Sequence, residues 1–359
     1  MQFKNLLLLS GMVMFFTACN GATKQESITL EKVGNYPDIT WIKGKMILSK
    51  DDKSLFVVNQ NRPNKIDILD LRDLSKPKLF KEIICSKNSK DRILDYKITD
   101  NKKYLFVSIS DKVIIYNIED LNSIHAINEI TLYSAESLAI TSNDKYLYVS
   151  GSKVDNFSSY IHSYNIQNLK NIIYLSKYEQ DGSKLTISPN GKRLIYAIST
   201  SEKERLGIAD ISNPKEIKLL DKTGKIFNNR GNFATSARIE DMLFSNDSKR
   251  LYIAGNEVGL MVYDISKNKL TNIQLTAGKH TDMLFNTTDS IYSISLNKEK
   301  NILYLSGVLN KNIKFIDSIK GINSAVLLEG KSIQLSNNGD FVVQEKSNGL
   351  NFYLVRKNK

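Results

Sequence analysis

The chain has 359 residues, 50 Lys and Arg against 38 Asp and Glu, and a net charge of +12. The basic residues are spread along it without a run of five, which describes solvated strand faces and excludes the dense basic stripe of a nucleic-acid binder. Only two cysteines occur, Cys19 and Cys85, so a disulfide scaffold is excluded and the core must carry the fold.

The first segment is an export signal. Lys4 is followed by an apolar run from Leu6 to Phe16, too short to span a bilayer, which ends in Phe16-Thr17-Ala18-Cys19. Small residues directly before a cysteine resemble a bacterial lipobox, with Phe16 where leucine is usual. The resemblance implies that residues 1–18 are removed, that Cys19 is lipidated, and that 341 residues remain (359 − 18). Acyl chains on Cys19, palmitate among them, would make the membrane itself a partner, since each buried CH₂ contributes about 0.8 kcal/mol. Asn20 after the cysteine resembles the sorting signal of outer-membrane lipoproteins in Gram-negative bacteria, which implies the outer rather than the inner membrane. Residues 19–26 are small and polar, as a flexible tether should be, and residues 27–359 form the folded domain.

Residues 27–33, Ser-Ile-Thr-Leu-Glu-Lys-Val, read as a strand with no neighbours of its own. Beyond them a polar turn followed by an apolar, aromatic strand returns seven times. It begins as Asp51-Asp52-Lys53-Ser54-Leu55-Phe56-Val57, Asn101-Lys102-Lys103-Tyr104-Leu105-Phe106-Val107 and Asn143-Asp144-Lys145-Tyr146-Leu147-Tyr148-Val149. Aligned on Leu55, Leu105, Leu147, Leu194, Leu251, Leu303 and Phe341, the spacings are 50, 42, 47, 57, 52 and 38. A period of this length built from strands and turns is that of β-propeller blades.

A second phrase, out of phase with the first, reads Ile68-Leu69-Asp70-Leu71, Ile115-Tyr116-Asn117-Ile118, Ser163-Tyr164-Asn165-Ile166, Ile208-Ala209-Asp210-Ile211, Val262-Tyr263-Asp264-Ile265 and Phe315-Ile316-Asp317-Ser318. Its Asp or Asn can bond the backbone two residues on and close a tight turn. With a short apolar run before the first phrase and one more strand after the second, each period holds four strands. The expected fold is all-β, a seven-bladed propeller of four-stranded antiparallel blades. The last period lacks its outer strand after Leu350–Leu354, and residues 27–33 are expected to supply it, closing the ring and removing two free edges.

Gly207-Ile208-Ala209-Asp210-Ile211-Ser212-Asn213-Pro214 and Gly259-Leu260-Met261-Val262-Tyr263-Asp264-Ile265-Ser266 resemble the LVIVD-repeat family of bacterial propellers and, more loosely, YVTN-type surface propellers. The resemblance spans residues 27 to 355 and implies an exported propeller without an assigned chemistry.

Loop lengths point to one working face. Connections within the two phrases are short, whereas 59–65, 86–93, 152–159, 223–240 and 276–290 are longer and unlike one another. The long classes emerge on one side of a propeller and carry Trp41, Arg62, Arg92, Phe227, Arg230, Phe233, Arg238 and His280, the material of binding hot spots. Catalytic constellations are scarce: His125 falls in an outer strand, His162 in a third strand and His280 in a loop. The inner strands are expected to offer the channel mainly Ile47, Ala139, Thr186, Leu243 and Ser295, none of them an acid or base. Asp95 and Asp241, at equivalent places before inner strands, could bind a metal at the mouth with Asp38 and Asp282. Cys85, at the end of a strand, reads as a buried structural thiol.

The expected function is that of a membrane-anchored lipoprotein acting as a binding or scaffold module, not an enzyme. No cofactor and no nucleic acid is implied, and protein and polysaccharide partners at the envelope stay open. The alternative is a metal-dependent, lactonase-like propeller hydrolase using the same face.

Overall fold

The computed structural model describes residues 27–39, 45–153, 156–180, 182–199, 203–222, 227–228, 239–255, 259–265, 269–273, 290–299, 302–308 and 324–358. Their strands gather into seven sheets, and the chain is a seven-bladed β-propeller. Blade one runs outward from the axis as Ile47–Leu48, Ser54–Val57, Lys65–Asp70 and Lys78–Ile84, each strand bonded to the next. Blades two to five repeat that order, beginning with inner strands Asp95–Ile98, Tyr133–Ile140, Lys184–Ile187 and Ile239–Phe244.

The apolar runs take this form because each sheet is covered on both sides by its neighbours. Second strands therefore lack a polar face: Leu55, Phe56 and Val57 are all fully buried. The core is divided into seven apolar clusters, one in each wedge between blades. Phe56, Ile68, Tyr96 and Leu105 join blades one and two, for example, and Ile195, Ile208, Met242 and Ile253 join blades four and five. Outer strands are far more exposed, and in blades one to four each carries a register shift opposite the third strand, as between Ile68 and Leu69 or Ile115 and Tyr116. Such bulges raise the local twist.

The repeated turn has one recurring backbone state. Asp52, Lys102, Asp144, Gly191, Ser248 and Gly339 occupy equivalent places and all have positive φ, between 56° and 76°. Where that residue is Asp, its carboxylate caps the turn of the preceding blade. Asp144 accepts the N–H groups of Asp100 at 2.7 Å and Asn101 at 2.9 Å, and Asp52 accepts those of Asn337 at 2.9 Å and Asn338 at 3.2 Å. The short turns thus stitch the blades together around one face.

Ring closure follows the expectation and extends it. Ser27–Tyr36 is the outer strand of blade seven, antiparallel to Gly349–Asn358, with Ser27 opposite Asn358 and Tyr36 opposite Leu350. Third strands run towards the short-turn face, so Ser27 enters the ring at that face.

Two expectations need correction. Blade six holds three strands among the described residues, and Ser324–Glu329 runs parallel, not antiparallel, to Ile302–Val308. A parallel pair needs a crossover of about a dozen residues or more, and 309–323 supply that length. The third strand expected at Phe315–Ser318 lies outside the described residues. In blade three the presumed loop 152–159 is mostly strand. Tyr146–Lys153 and Asn156–Asn165 pair as far as Lys153 opposite Asn156.

Candidate functional site

The axial channel is lined by the inner strands, and side chains of blades one to six share one level of it. Ladder register makes Asp95, Ser137, Lys184, Asp241 and Ser293 equivalent, since they lie opposite Ser108, Ser150, Ala197, Ala254 and Ser306 of the second strands. Lys45 holds the same place in blade one, two residues before Ile47. This tier of the channel carries two lysines and two aspartates, one pair of residues nearer the long-loop mouth than the lining expected from sequence. The expected lining of Ile47, Ala139, Thr186, Leu243 and Ser295 is therefore incomplete. Lys97 belongs to that tier too, at the place held by Ile47 in blade one.

Inner strands have a free edge, and side chains of these two tiers bond to it. Asp95 Oδ2 accepts the N–H of Leu138 at 2.9 Å and the hydroxyl of Ser137 at 3.2 Å, linking blades two and three. Ser137 Oγ in turn accepts the N–H of Leu185 at 3.1 Å. Asp241 Oδ2 accepts the N–H of Ile294 at 3.0 Å, and Ser295 Oγ that of Leu335 at 3.2 Å. Between blades four and five the link is Lys184 Nζ donating to the Glu240 carbonyl at 2.5 Å. A buried N–H without a partner costs about 1–3 kcal/mol, so this belt holds adjacent blades in register.

The same carboxylates also carry the cations. Lys97 Nζ lies 2.7 Å from Asp95 Oδ1, and Lys45 Nζ lies 2.7 Å from Asp241 Oδ1. The second pair joins blade one to blade five across the channel. The sequence placed Asp95 and Asp241 at equivalent positions, and the structure agrees, but both are already engaged by lysine and backbone. Among the described residues, no three His, Cys, Asp or Glu side chains gather as a metal-binding set. Asp38 is exposed at the end of the closing strand, and Asp282 lies outside the described residues.

A second charged cluster sits on the long-loop side, where blade one meets blade seven. Arg62 bridges Glu82 and Asp67, with Nη2 2.6 Å from Asp67 Oδ2, and Lys65 Nζ lies 3.0 Å from Glu82. Asp67 is 1% exposed, and burial pushes its carboxyl up to about 6 against the pull of Arg62, with the Glu82 charge adding to the rise. Tyr36 is raised as well, by burial first and then by Asp38 and Asp67. Arg62, expected on the ligand-binding face, lies on the long-loop side and is engaged in an internal pair, whereas Arg92 is exposed on its loop.

Phe227 and Asn228 form a short strand against Lys203 and Glu204 of blade four. Cys19, Trp41, Arg230, Phe233, Arg238 and His280 lie outside the described residues. His125 begins an outer strand, and His162, 1% exposed, stands in a third strand among Tyr160, Tyr164 and Tyr174. Cys85 is 6% exposed, and burial pushes its thiol up to about 12. The residues that sequence reasoning missed are Lys45, Lys97 and Lys184. The signal that could have found them is the pair of positions before each apolar inner run, read as one more turn of the same strand.

Comparison with known proteins adds the fold and no family. The chain is similar to a solved structure of Kuenenia stuttgartiensis hydrazine synthase, with a TM-score of 0.60 and 16% identity over 89% of this chain and 96% of that one. At that identity the likeness speaks for the propeller alone. No family model matches the sequence, the LVIVD-repeat resemblance included, and no curated protein matches it.

Proposed function

We propose that the protein is a lipid-anchored propeller of the outer membrane that binds a protein or glycan partner through its long-loop face. The observation that carries this reading is where the closing strand enters. Ser27 pairs with Asn358 at the short-turn end of blade seven. A lipid on Cys19 would therefore attach at the short-turn face, through residues 20–26, a tether reaching at most about 25 Å when extended. The long-loop face, with Arg92 exposed and with the connections that hold Trp41, Arg230, Phe233 and Arg238, is then presented away from the bilayer. The belt of hydrogen bonds around the channel leaves the loops free to vary without cost to the ring, as binding loops on a rigid scaffold do.

Two measurements test the reading separately. Fatty-acid labelling should mark the wild-type protein and not Cys19→Ser, and equal labelling removes the anchor. Recovery of partners from envelope extracts should fall with Arg92→Ala or Trp41→Ala and stay unchanged with Lys192→Ala on the opposite face. The reverse pattern removes the assignment of the working face.

A further inference from the structure

The repeat varies at the short-turn end of the blades. At the short-turn end, the first residue of each second strand faces the last residue of the third. These pairs are Arg193 opposite Asp210 in blade four and Arg250 opposite Asp264 in blade five. Arg193 Nη1 lies 2.9 Å from Asp210, and in blade one Arg72 caps the equivalent Asp70 at 2.6 Å. Blades two and three replace this charged filling with Tyr104 opposite Asn117 and Tyr146 opposite Asn165. Beside the Tyr104–Asn117 pair a cleft of about 560 Å³ opens between blades two and three, within the range of about 300–1,000 Å³ usual for small-molecule sites.

The groups around it have fixed polarity. Asn101 Oδ1 accepts the Lys103 N–H at 2.9 Å, Asn117 Oδ1 the Glu119 N–H at 2.9 Å, and Asn168 Oδ1 the Lys170 N–H at 3.1 Å. With each amide oxygen held by backbone, the amide –NH₂ is the end left to donate. His125 Nδ1 lies 2.9 Å from the Ser123 carbonyl, which can only accept, so Nδ1 carries the proton and Nε2 of the neutral ring is an acceptor. Tyr104 adds an aromatic face and a hydroxyl, and Leu169 an apolar edge.

We propose that this cleft binds a saccharide unit. A sugar ring offers what the lining lacks: hydroxyls that accept from the amides and donate to the imidazole, and a C–H face for Tyr104. An anionic ligand fits less well, because the lining sets the Asp144 carboxylate against a single cation, Lys170. The cleft opens on the short-turn face, opposite the long loops, and the inference depends neither on the anchor nor on the loop-face reading.

The test uses the full-length protein and two sources of the same chemistry. Saturation-transfer NMR with maltose and with chitobiose reads free saccharide. Flotation of the full-length, unlipidated Cys19→Ser protein with phosphatidylcholine vesicles, with and without digalactosyl diacylglycerol, reads a lipid-borne sugar headgroup. At least one of these should bind, and Tyr104→Arg/Asn117→Asp, which rebuilds the blade-four pair, should weaken it tenfold or more. Should that variant unfold, His125→Ala, at an exposed position, should weaken binding by a smaller factor. Absence of binding to all three sugar sources overturns the proposal. So does unchanged binding by the folded filling variant, or by His125→Ala if it must stand in.

Discussion

Lys45 of blade one and Asp241 of blade five meet across the axis, with Nζ 2.7 Å from Oδ1. The partners are unequal: Asp241 is 5% exposed and Lys45 42%. Besides the ammonium, Asp241 accepts the N–H groups of Met242 at 2.7 Å and Ile294 at 3.0 Å. The carboxylate is therefore a structural knot of the ring, and the lysine a lid upon it.

Asp241→Ala should be clearly more destabilising than Lys45→Met. The first strands two N–H groups and removes the link to blade six, at a cost of about 2–3 kcal/mol. The second leaves a carboxylate still bonded by two backbone N–H groups and removes an ammonium that is largely solvated, at a cost of about 1 kcal/mol. Urea unfolding of both variants measures the order, and a larger loss for Lys45→Met contradicts it.

Asp67 gives stability a pH dependence of unusual sign. Its folded carboxyl is raised from 3.8 to about 6, so the folded state holds the proton more tightly than the unfolded chain. Its contribution is present below about pH 4 and is lost as pH rises to about 6, by up to about 3 kcal/mol. Asp70 works the other way, lowered to about 2 by the Arg72 side chain, with stability present above pH 3.8 and lost as pH falls through 2. Asp67→Asn should flatten the decline between pH 4 and 6 in a melting series, and an unaltered slope contradicts the assignment.

The architecture was legible because each blade buries its second strand on both faces, which writes a continuous apolar phrase seven times. The turn before it was legible too, since positive φ favours the Asp and Gly found at Asp52, Asp144, Gly191 and Gly339, although Lys102 and Ser248 adopt it as well. Inner strands were harder. Ile47–Leu48 and Asp95–Ile98 are short, edge-exposed and without periodicity, so the polar tier at Lys45, Asp95, Lys184 and Asp241 was split between strand and loop. The parallel strand of blade six could not be read at all, because its direction depends on a crossover and not on local pattern.

The latch between the ends of the chain should be sensitive at Gly34. A Cβ there would collide with the carbonyl of Leu74, in the turn of blade one that packs against the closing strand. Gly34→Val should lower the melting temperature and promote aggregation through the freed edge beside Gly349–Asn358, whereas removal of residues 20–26 should be nearly neutral. Equal melting of the two variants would show that the closing strand contributes little.

Orientation at the membrane can be read with single cysteines, because the native thiol of Cys85 is buried and pushed up to about 12 and so stays silent to maleimides at neutral pH. Lys192 is exposed in a short turn and Lys90 in a long loop, on opposite faces. If the tether holds the short-turn face to the bilayer, a bulky maleimide should label Lys90→Cys faster than Lys192→Cys in lipidated protein on vesicles. In the unlipidated Cys19→Ser background the two rates should converge, since both side chains are solvated in the free ring. That second measurement separates membrane shielding from intrinsic differences between the sites. Slower labelling of Lys90→Cys on vesicles would turn the propeller over and place the long loops against the lipid.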